Sequence, residues 1–367
     1  MLLTGLTTEE LQEWARERGL GAYRGRQLAD WVYRRSARSF DVMTDLPQKL
    51  RGELASSFIH PALQEEDRST SPDGATKFLV RARDGERVEC VFLPYDDRIS
   101  LCVSTQVGCA MDCSFCATGI GGLKRDLLPG EIVDQLLLVQ AATGQRVTHV
   151  VYMGMGEPLA NYSATVASIR LLSKEVGLSA RRITVSTVGL PAAIRRLAGE
   201  RLPITLAVSI HAPDDDVRRV IMPAARLHLL EDLLDACRHW CAVTRRRMTF
   251  EYLLLEGIND SPAQARDLAR RIRGILGNVN LIPYNHVEGR GRFRRPSRER
   301  IEAFRAALEE SGIRTTERMR RGNPVSAACG QLRHEAESGR KLFAPSGAAG
   351  VKIPVSAKVP APDAGDG

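Results

Sequence analysis

The spacing of apolar positions changes twice along the chain. Up to about residue 60 they recur at helical intervals: LTTEELQEWARERGL opens on Thr7 and Thr8, residue types suited to a helix start, and RGRQLADWVYRRS repeats the pattern. An N-terminal helical accessory domain is predicted over 1–60. Two short alternating runs, TKFLVRA and RVECVFLP, predict a β-hairpin connector within 61–95. From about 99 the apolar runs ISLCVST, THVVYMGMG, RRITVSTVG, ITLAVSIHA, MTFEYLLLEGIND and NVNLIPYNH read as strands, with amphipathic segments such as PGEIVDQLLLVQAA and SPAQARDLARRIRGIL between them. Strand then helix, about six times over, predicts a parallel α/β sheet or barrel over 96–342. The tail 343–367 is rich in Ala, Pro and Gly with almost no large apolar residues, which predicts disorder.

In barrel enzymes the site is built from loops at the C-terminal ends of the strands. Here those ends read GMGEP (154–158), STVG (186–189), SIHA (209–212), GIND (257–260) and YNH (284–286). Any one of them could be an ordinary polar, Gly-rich loop; the set marks one end of the sheet as functional.

Composition sharpens this. The 367 residues hold 52 Lys plus Arg against 44 Asp plus Glu, a formal charge of +8 that favours a polyanionic partner and points at nucleic acid. MLLTGLTTEELQEWARERG carries acidic residues early and no long apolar run, unlike a secretory signal, and no stretch is apolar enough to span a membrane, so a cytoplasmic protein is expected. Eight unevenly spaced cysteines fit metal or redox chemistry in a reducing compartment better than a disulfide framework.

Three of them, Cys109, Cys113 and Cys116, lie in GCAMDCSFCATG. A structural zinc site closes with four ligands, and a fully ligated cubane uses one protein ligand per iron. Three thiolates leave a position open for substrate or cofactor. The alternative is a zinc site completed by a distant ligand.

CAMDCSFC, with aromatic Phe115 before the third cysteine, resembles the cluster loop of radical S-adenosylmethionine (SAM) enzymes, and GMGEP resembles that superfamily's SAM-binding motif. LCVSTQVGC, GMGEPL, SIHAP, LIPYN, SAACGQL and the N-terminal helices closely resemble the dual-specificity ribosomal and transfer RNA methyltransferases that act on C2 of adenine, across about residues 5–340. The resemblance implies a partial (β/α)6 barrel with an N-terminal helical accessory domain, a [4Fe–4S] cluster on Cys109, Cys113 and Cys116, and SAM on the fourth iron. It also implies that two SAM molecules are used per methylation: the first methylates Cys329, and the second yields the radical that activates this methyl group for addition to C2. Cys102 would then release the product through a transient disulfide with Cys329, and Glu89 would accept a proton.

The same resemblance gives Gly156 and Glu157 the amino end of SAM, Ser186 the carboxylate side, Ser209 and His211 with the Ile210 backbone the ribose region, and Asn285 a further contact. It names 23S ribosomal RNA and transfer RNA as partners, with a low-potential reductant such as flavodoxin or ferredoxin, and a monomer is expected. Taken alone, Cys102 would be a core strand residue, Glu89 a solvent-facing one, and Cys90 a bland residue on the opposite face. Cys329, beside Gly330 and after two alanines, is an unlikely packing cysteine. Cys237, His239 and Cys241 lie in a segment whose apolar positions recur at helical spacing, and read as helix rather than metal site. GRGRFRRPSRER (289–300), with six arginines, and RTTERMRRGN read as phosphate contacts or as a solvated face; Arg24, Arg26, Arg34 and Arg35 make a second RNA surface. Two rivals remain: a relative that methylates adenine C8, and a zinc-stabilised RNA-binding protein without catalysis.

Overall fold

The computed structural model describes residues 1–287, 289–290, 292–318, 322 and 328–332. The Ala- and Pro-rich tail lies outside them.

The N-terminal region forms helices α1 (Thr8–Arg16), α2 (Tyr23–Ala29) and α3 (Gln48–Ser57), with α2 running into a π-helical turn over Asp30–Arg34. α1 starts where the sequence marks it: Thr7 Oγ1 accepts the Glu10 N–H and Glu10 returns the bond to the Thr7 N–H, a reciprocal cap. Strands β1 (Leu63–Thr70), β2 (Thr76–Ala82) and β3 (Arg87–Pro94) form an antiparallel meander. The sequence reading had only the last two. β1, LQEEDRST, is exposed along nearly its whole length, and its charges mark an edge strand rather than a core one.

β3 pairs antiparallel with β4 (Ile99–Cys102), and there the direction changes. β4, β7 (His149–Tyr152), β8 (Ile183–Thr187), β9 (Thr205–Ser209), β10 (Met248–Leu254) and β11 (Gly277–Pro283) run parallel in that order, the six strands expected, and β12 (Thr315–Glu317) adds a short seventh. Between β4 and β7, β5 (Gln106–Gly108) and β6 (Leu123–Asp126) make a separate ribbon. Helices α4 (Pro129–Thr143), α5 (Tyr162–Lys174), α6 (Pro191–Gly199), α7 (Asp215–Ile221), α8 (Leu230–Thr244), α9 (Pro262–Ile272) and α10 (Arg298–Glu310) connect the strands. Cys237 is buried on α8 among Leu230, Leu233 and Leu234, and His239 is exposed, as the helical spacing expects.

One buried ion pair joins the helical layer to the barrel. Arg38 donates to both carboxylate oxygens of Asp134 on α4, at 2.5 and 3.1 Å, and to Leu63 O at 2.6 Å, while the Leu63 N–H donates to Asp134 at 2.7 Å.

Candidate active site

The loop between β5 and β6 carries Cys109, Cys113 and Cys116. Its closure needs glycine: Gly108 has φ +79°, and a Cβ there would run into the Gly122 carbonyl that accepts the Cys109 N–H at 2.9 Å. On one side the loop is pinned to the end of α7, where Ser114 N–H donates to Ile221 O at 2.9 Å and its hydroxyl to Val220 O at 3.2 Å. On the other it is pinned to the segment that carries Cys329: Ala117 N–H donates to Gly330 O at 2.7 Å and Thr118 Oγ1 to Leu332 O at 2.7 Å. Gly330 itself has φ +82°, and a Cβ there would press on Phe115 O at 3.3 Å. A residue far away in sequence is thus docked on the cysteine loop by backbone geometry.

Cys109, Cys113, Cys116 and Cys329 line one cleft, open to solvent and holding about 1000 Å³ of empty space. Burial raises Cys109 to about 12 and Cys113 well above the usual thiol range, and in both the neighbouring cysteines add to the rise. Metal binding would replace those protons. Among the described residues no three His, Cys, Asp or Glu side chains converge on a single metal-ion position; a cubane is held at separate corners, one thiolate per iron, and three soft thiols bordering one space suit it.

The opposite wall comes from successive strand ends. Gly156, with φ +100°, packs so closely on Gln106 that a Cβ would sit 2.6 Å from that side chain. The same glutamine accepts the Glu157 N–H at 2.8 Å. Glu157 is buried in the cleft wall, its carboxylate accepting the Leu159 and Val188 N–H groups at 2.9 and 2.8 Å; burial raises it to about 7, opposed by those bonds. Ser186, Ser209 and His211 also line the cleft. His211 is lowered to about 3 by burial and by the Arg218 charge, so it is a neutral imidazole; Nδ1 accepts the Leu253 N–H at 3.0 Å, which leaves Nε2 as the donor. Its ring meets Phe115 edge-on at 5.0 Å, tying this wall to the cysteine loop. These polar groups fit a cofactor with charged and hydroxyl-bearing ends.

Two expected cofactor contacts stand apart. Ile210 is fully buried and does not line the cleft, its N–H donating to Glu251 O at 3.0 Å and its carbonyl accepting from Arg218 at 3.1 Å. Asn285 is buried and is likewise not among the lining residues.

Cys102 ends β4, nearly buried, and does not line the cleft either, but it lies within electrostatic reach of Cys329. Glu89 is buried rather than solvent-facing, because β3 is covered on both faces, with every residue from Val88 to Phe92 buried; its carboxylate pairs with Lys77 at 2.9 Å. Cys90, beside it, is fully buried.

Sequence reasoning missed Glu251 and Arg318, both in the cleft. A lone carboxylate inside the apolar strand MTFEYLLLE was the available signal for Glu251. Arg318 was hidden in a charge run read as surface.

The arginine-rich segment is also more engaged than its composition suggests. Arg290 pairs with Asp112 of the cysteine loop, Arg298 with Glu317 at 2.8 Å and Arg300 with Asp260 at 2.6 Å. Arg292 and Arg294 are exposed, as are Arg26, Arg34 and Arg35 on the N-terminal helices. No helix among the described residues is long and apolar enough to cross a membrane.

Residues 103–269, which span the cysteine loop and most of the parallel strands, match the Radical SAM superfamily, so fold and site define a radical SAM protein. Residues 1–59 match the ribosomal RNA large subunit methyltransferase N-terminal domain. A probable dual-specificity RNA methyltransferase RlmN of Prochlorococcus marinus is 48% identical over 340 residues, covering 91% of this chain and 95% of its own length. The corresponding protein of Gloeobacter violaceus is 47% identical over 337 residues, covering 92% and 96%. The crystal structure of a radical SAM methyltransferase from Sphaerobacter thermophilus matches with a TM-score of 0.89 at 46% identity, covering 91% of this chain and all of that one. The chain belongs to the RlmN family of dual-specificity RNA methyltransferases.

Proposed function

We propose that the chain methylates C2 of adenine in 23S ribosomal RNA and in transfer RNA, with Cys329 carrying the methyl group and Cys102 releasing the product. What supports this reading is that Cys102, at the end of β4, lies within electrostatic reach of Cys329, which sits on a segment hydrogen-bonded to the cysteine loop. Family membership supports the same activity.

Cys109, Cys113 and Cys116 would hold a [4Fe–4S] cluster and leave its fourth iron to SAM, with Gly156, Glu157, Ser186, Ser209 and His211 around the cofactor. Cluster and SAM together supply the electron and the radical that abstracts hydrogen. Everything else falls to the chain. The Cys329 sulfur accepts a methyl group from one SAM and presents it to adenine when a second is bound, so two SAM molecules are used per methylation. Glu89, held by Lys77, accepts the C2 proton, and the unpaired electron this leaves on the adduct would return to the cluster. Cys102 attacks the thioether left on Cys329. Arg292 and Arg294, with the exposed arginines of the N-terminal helices, contact RNA phosphates. The enzyme works in the cytoplasm as a monomer, with flavodoxin or ferredoxin as reductant.

Nucleoside mass spectrometry of ribosomal and transfer RNA from a deletion strain tests this. Loss of 2-methyladenosine from both RNAs is expected. Its persistence, or loss of 8-methyladenosine instead, would overturn the reading.

A further inference from the structure

Arg318 lies in the cleft with none of the roles above. It follows β12, where its N–H donates to Leu281 O at 2.9 Å, and its side chain lines the cleft with Cys329. Among the described residues the guanidinium finds poor partners. Nη1 and Nη2 donate to the Met153 thioether at 3.4 and 3.3 Å, and the Glu251 carboxylate stands 4.0 Å away, already accepting from Asn280 at 2.8 Å. Thioether sulfur is a weak acceptor, and a guanidinium carries five N–H donors. Among the described residues, most of its donor capacity is unclaimed.

Met153 leads from Arg318 to Cys102. β4 and β7 pair with Cys102 opposite Val151, and the Val103 and Gly154 N–H groups extend the pairing past the strand ends at 2.9 and 3.0 Å, which sets Met153 beside the end of β4. The Met153 backbone acts on the Cys102 thiol and favours its ionised form. The titratable and charged groups facing Cys102 are Cys329 from the C-terminal segment, Cys90 from β3 and Arg318 from the end of β12. Burial pushes Cys102 up to about 12 and Cys329 adds to the rise; Arg318 and the Met153 backbone oppose it. Cys329 first, then Glu251, Cys102 and Tyr95, face Arg318 in turn.

We propose that Arg318 is a positioning residue for product release, supplying the positive charge beside which Cys102 becomes a thiolate. This deepens, and rests on, the release chemistry proposed above. In that step the Cys102 thiolate attacks the Cys329 sulfur of an RNA–CH2–S–Cys329 thioether. The S–S bond forms, the S–CH2 bond breaks with its electron pair going to carbon, and that carbon takes up a proton to become the methyl group. The sulfurs are oxidised and the carbon reduced, so no outside oxidant enters. At that stage Cys329 is a thioether with no proton to lose, so of the two cysteines only Cys102 is left for the Arg318 charge to ionise. A neighbouring cation is an established means of lowering a thiol's pKa, and exchange rates follow the thiolate fraction.

The test uses Arg318→Gln and Arg318→Lys in cluster-loaded enzyme supplied with SAM, reductant and RNA, with Cys102→Ala alongside. Protein–RNA adduct is followed on denaturing gels at about pH 7 and about pH 9, either side of the ordinary thiol range. Arg318→Gln should still load methyl on Cys329, yet accumulate adduct at the lower pH, with release slowed about threefold for each unit by which the thiol pKa rises, because greater nucleophilicity partly offsets the lost thiolate, and should recover at the higher pH. Arg318→Lys, which keeps the charge, should fall between; if the glutamine variant does not fold, the lysine variant carries the test through the same slowing and recovery. Release at the unaltered rate, or slowing that no rise in pH relieves, overturns the proposal. So does loss of SAM binding, which would assign Arg318 to the cofactor carboxylate, or of RNA binding, which would assign it to a phosphate. If Cys102→Ala accumulates adduct and the Arg318 variants do not, only the role of Arg318 falls. If Cys102→Ala forms none, the release chemistry falls and takes this role with it.

Discussion

Arg38 and Arg318 both carry a guanidinium into the body of the protein, and their surroundings differ in kind. Arg38, at the joint between the N-terminal helices and α4, makes two bonds to Asp134 and one to Leu63 O, and Asp134 accepts the Leu63 N–H as well. Arg318 has a thioether at 3.3 Å and a carboxylate at 4.0 Å. A closed network of short bonds fixes two layers in one arrangement. An open one keeps a charge ready for a partner that comes and goes. The joint is scaffold and the floor of the cleft is machinery, and each can be broken without the other.

The largest effect should come from the machinery. Cys113→Ala should lose iron and acid-labile sulfide and abolish reductive SAM cleavage while far-UV circular dichroism stays that of the folded chain; cleavage at the unaltered rate would remove the loop from the machinery. On the scaffold side, Asp134→Ala leaves Arg38 without its carboxylate and should cost about 3 kcal/mol in denaturant unfolding. Arg318→Ala should cost clearly less, since among the described residues its only ion pair is long; equal losses would erase the distinction.

Between the two lies the contact that brings Cys329 to the loop. Gly330→Ala must adopt φ +82° and crowd Phe115 O, at roughly 1 kcal/mol or more. It should speed exchange of the Ala117 amide, which donates to Gly330 O, without altering exchange at the Arg38 joint. Unchanged protection at Ala117 would mean the segment is held by other contacts.

The finest test reads a slope. Glu157 is raised by burial from the ordinary 4.5 to about 7, so the folded protein keeps its proton to higher pH than the unfolded chain does. Its contribution to stability is fully present below about pH 4.5 and is lost as pH rises through about 7. Melting of the cluster-free protein should therefore weaken over that window, and Glu157→Gln should flatten the decline; an equal decline in both would assign it to other groups.

Much of this division was legible in the sequence and part was not, for physical reasons. Alternation and helical spacing are local signals, so the six parallel strands and their loop ends could be read directly. β1 escaped because an exposed edge strand needs no apolar face, and β12 because three residues carry no pattern. The three loop cysteines announced themselves by spacing. Cys102 looked like core and is buried; the role proposed for it rests on its electrostatic reach to Cys329, which arises only on folding. Glu89 was misread as exposed because alternation cannot tell an edge strand from an interior one covered on both sides. Arg318 sits among arginines in the sequence, and its place in the cleft, at the end of β12 and against Met153, arises only on folding.

The central claim is that Cys329 carries the methyl group and Cys102 releases it. Cys102→Ala, loaded with cluster and given SAM, reductant and RNA, should add the Cys329 methylene to adenine and stop there. A denaturing gel should show RNA bound to protein, and nuclease digestion with peptide mapping should find the nucleotide mass on the Cys329 peptide. Release of methylated RNA at the unaltered rate, with no adduct on Cys329, would contradict the account and return Cys102 to the core strand its apolar neighbours suggest.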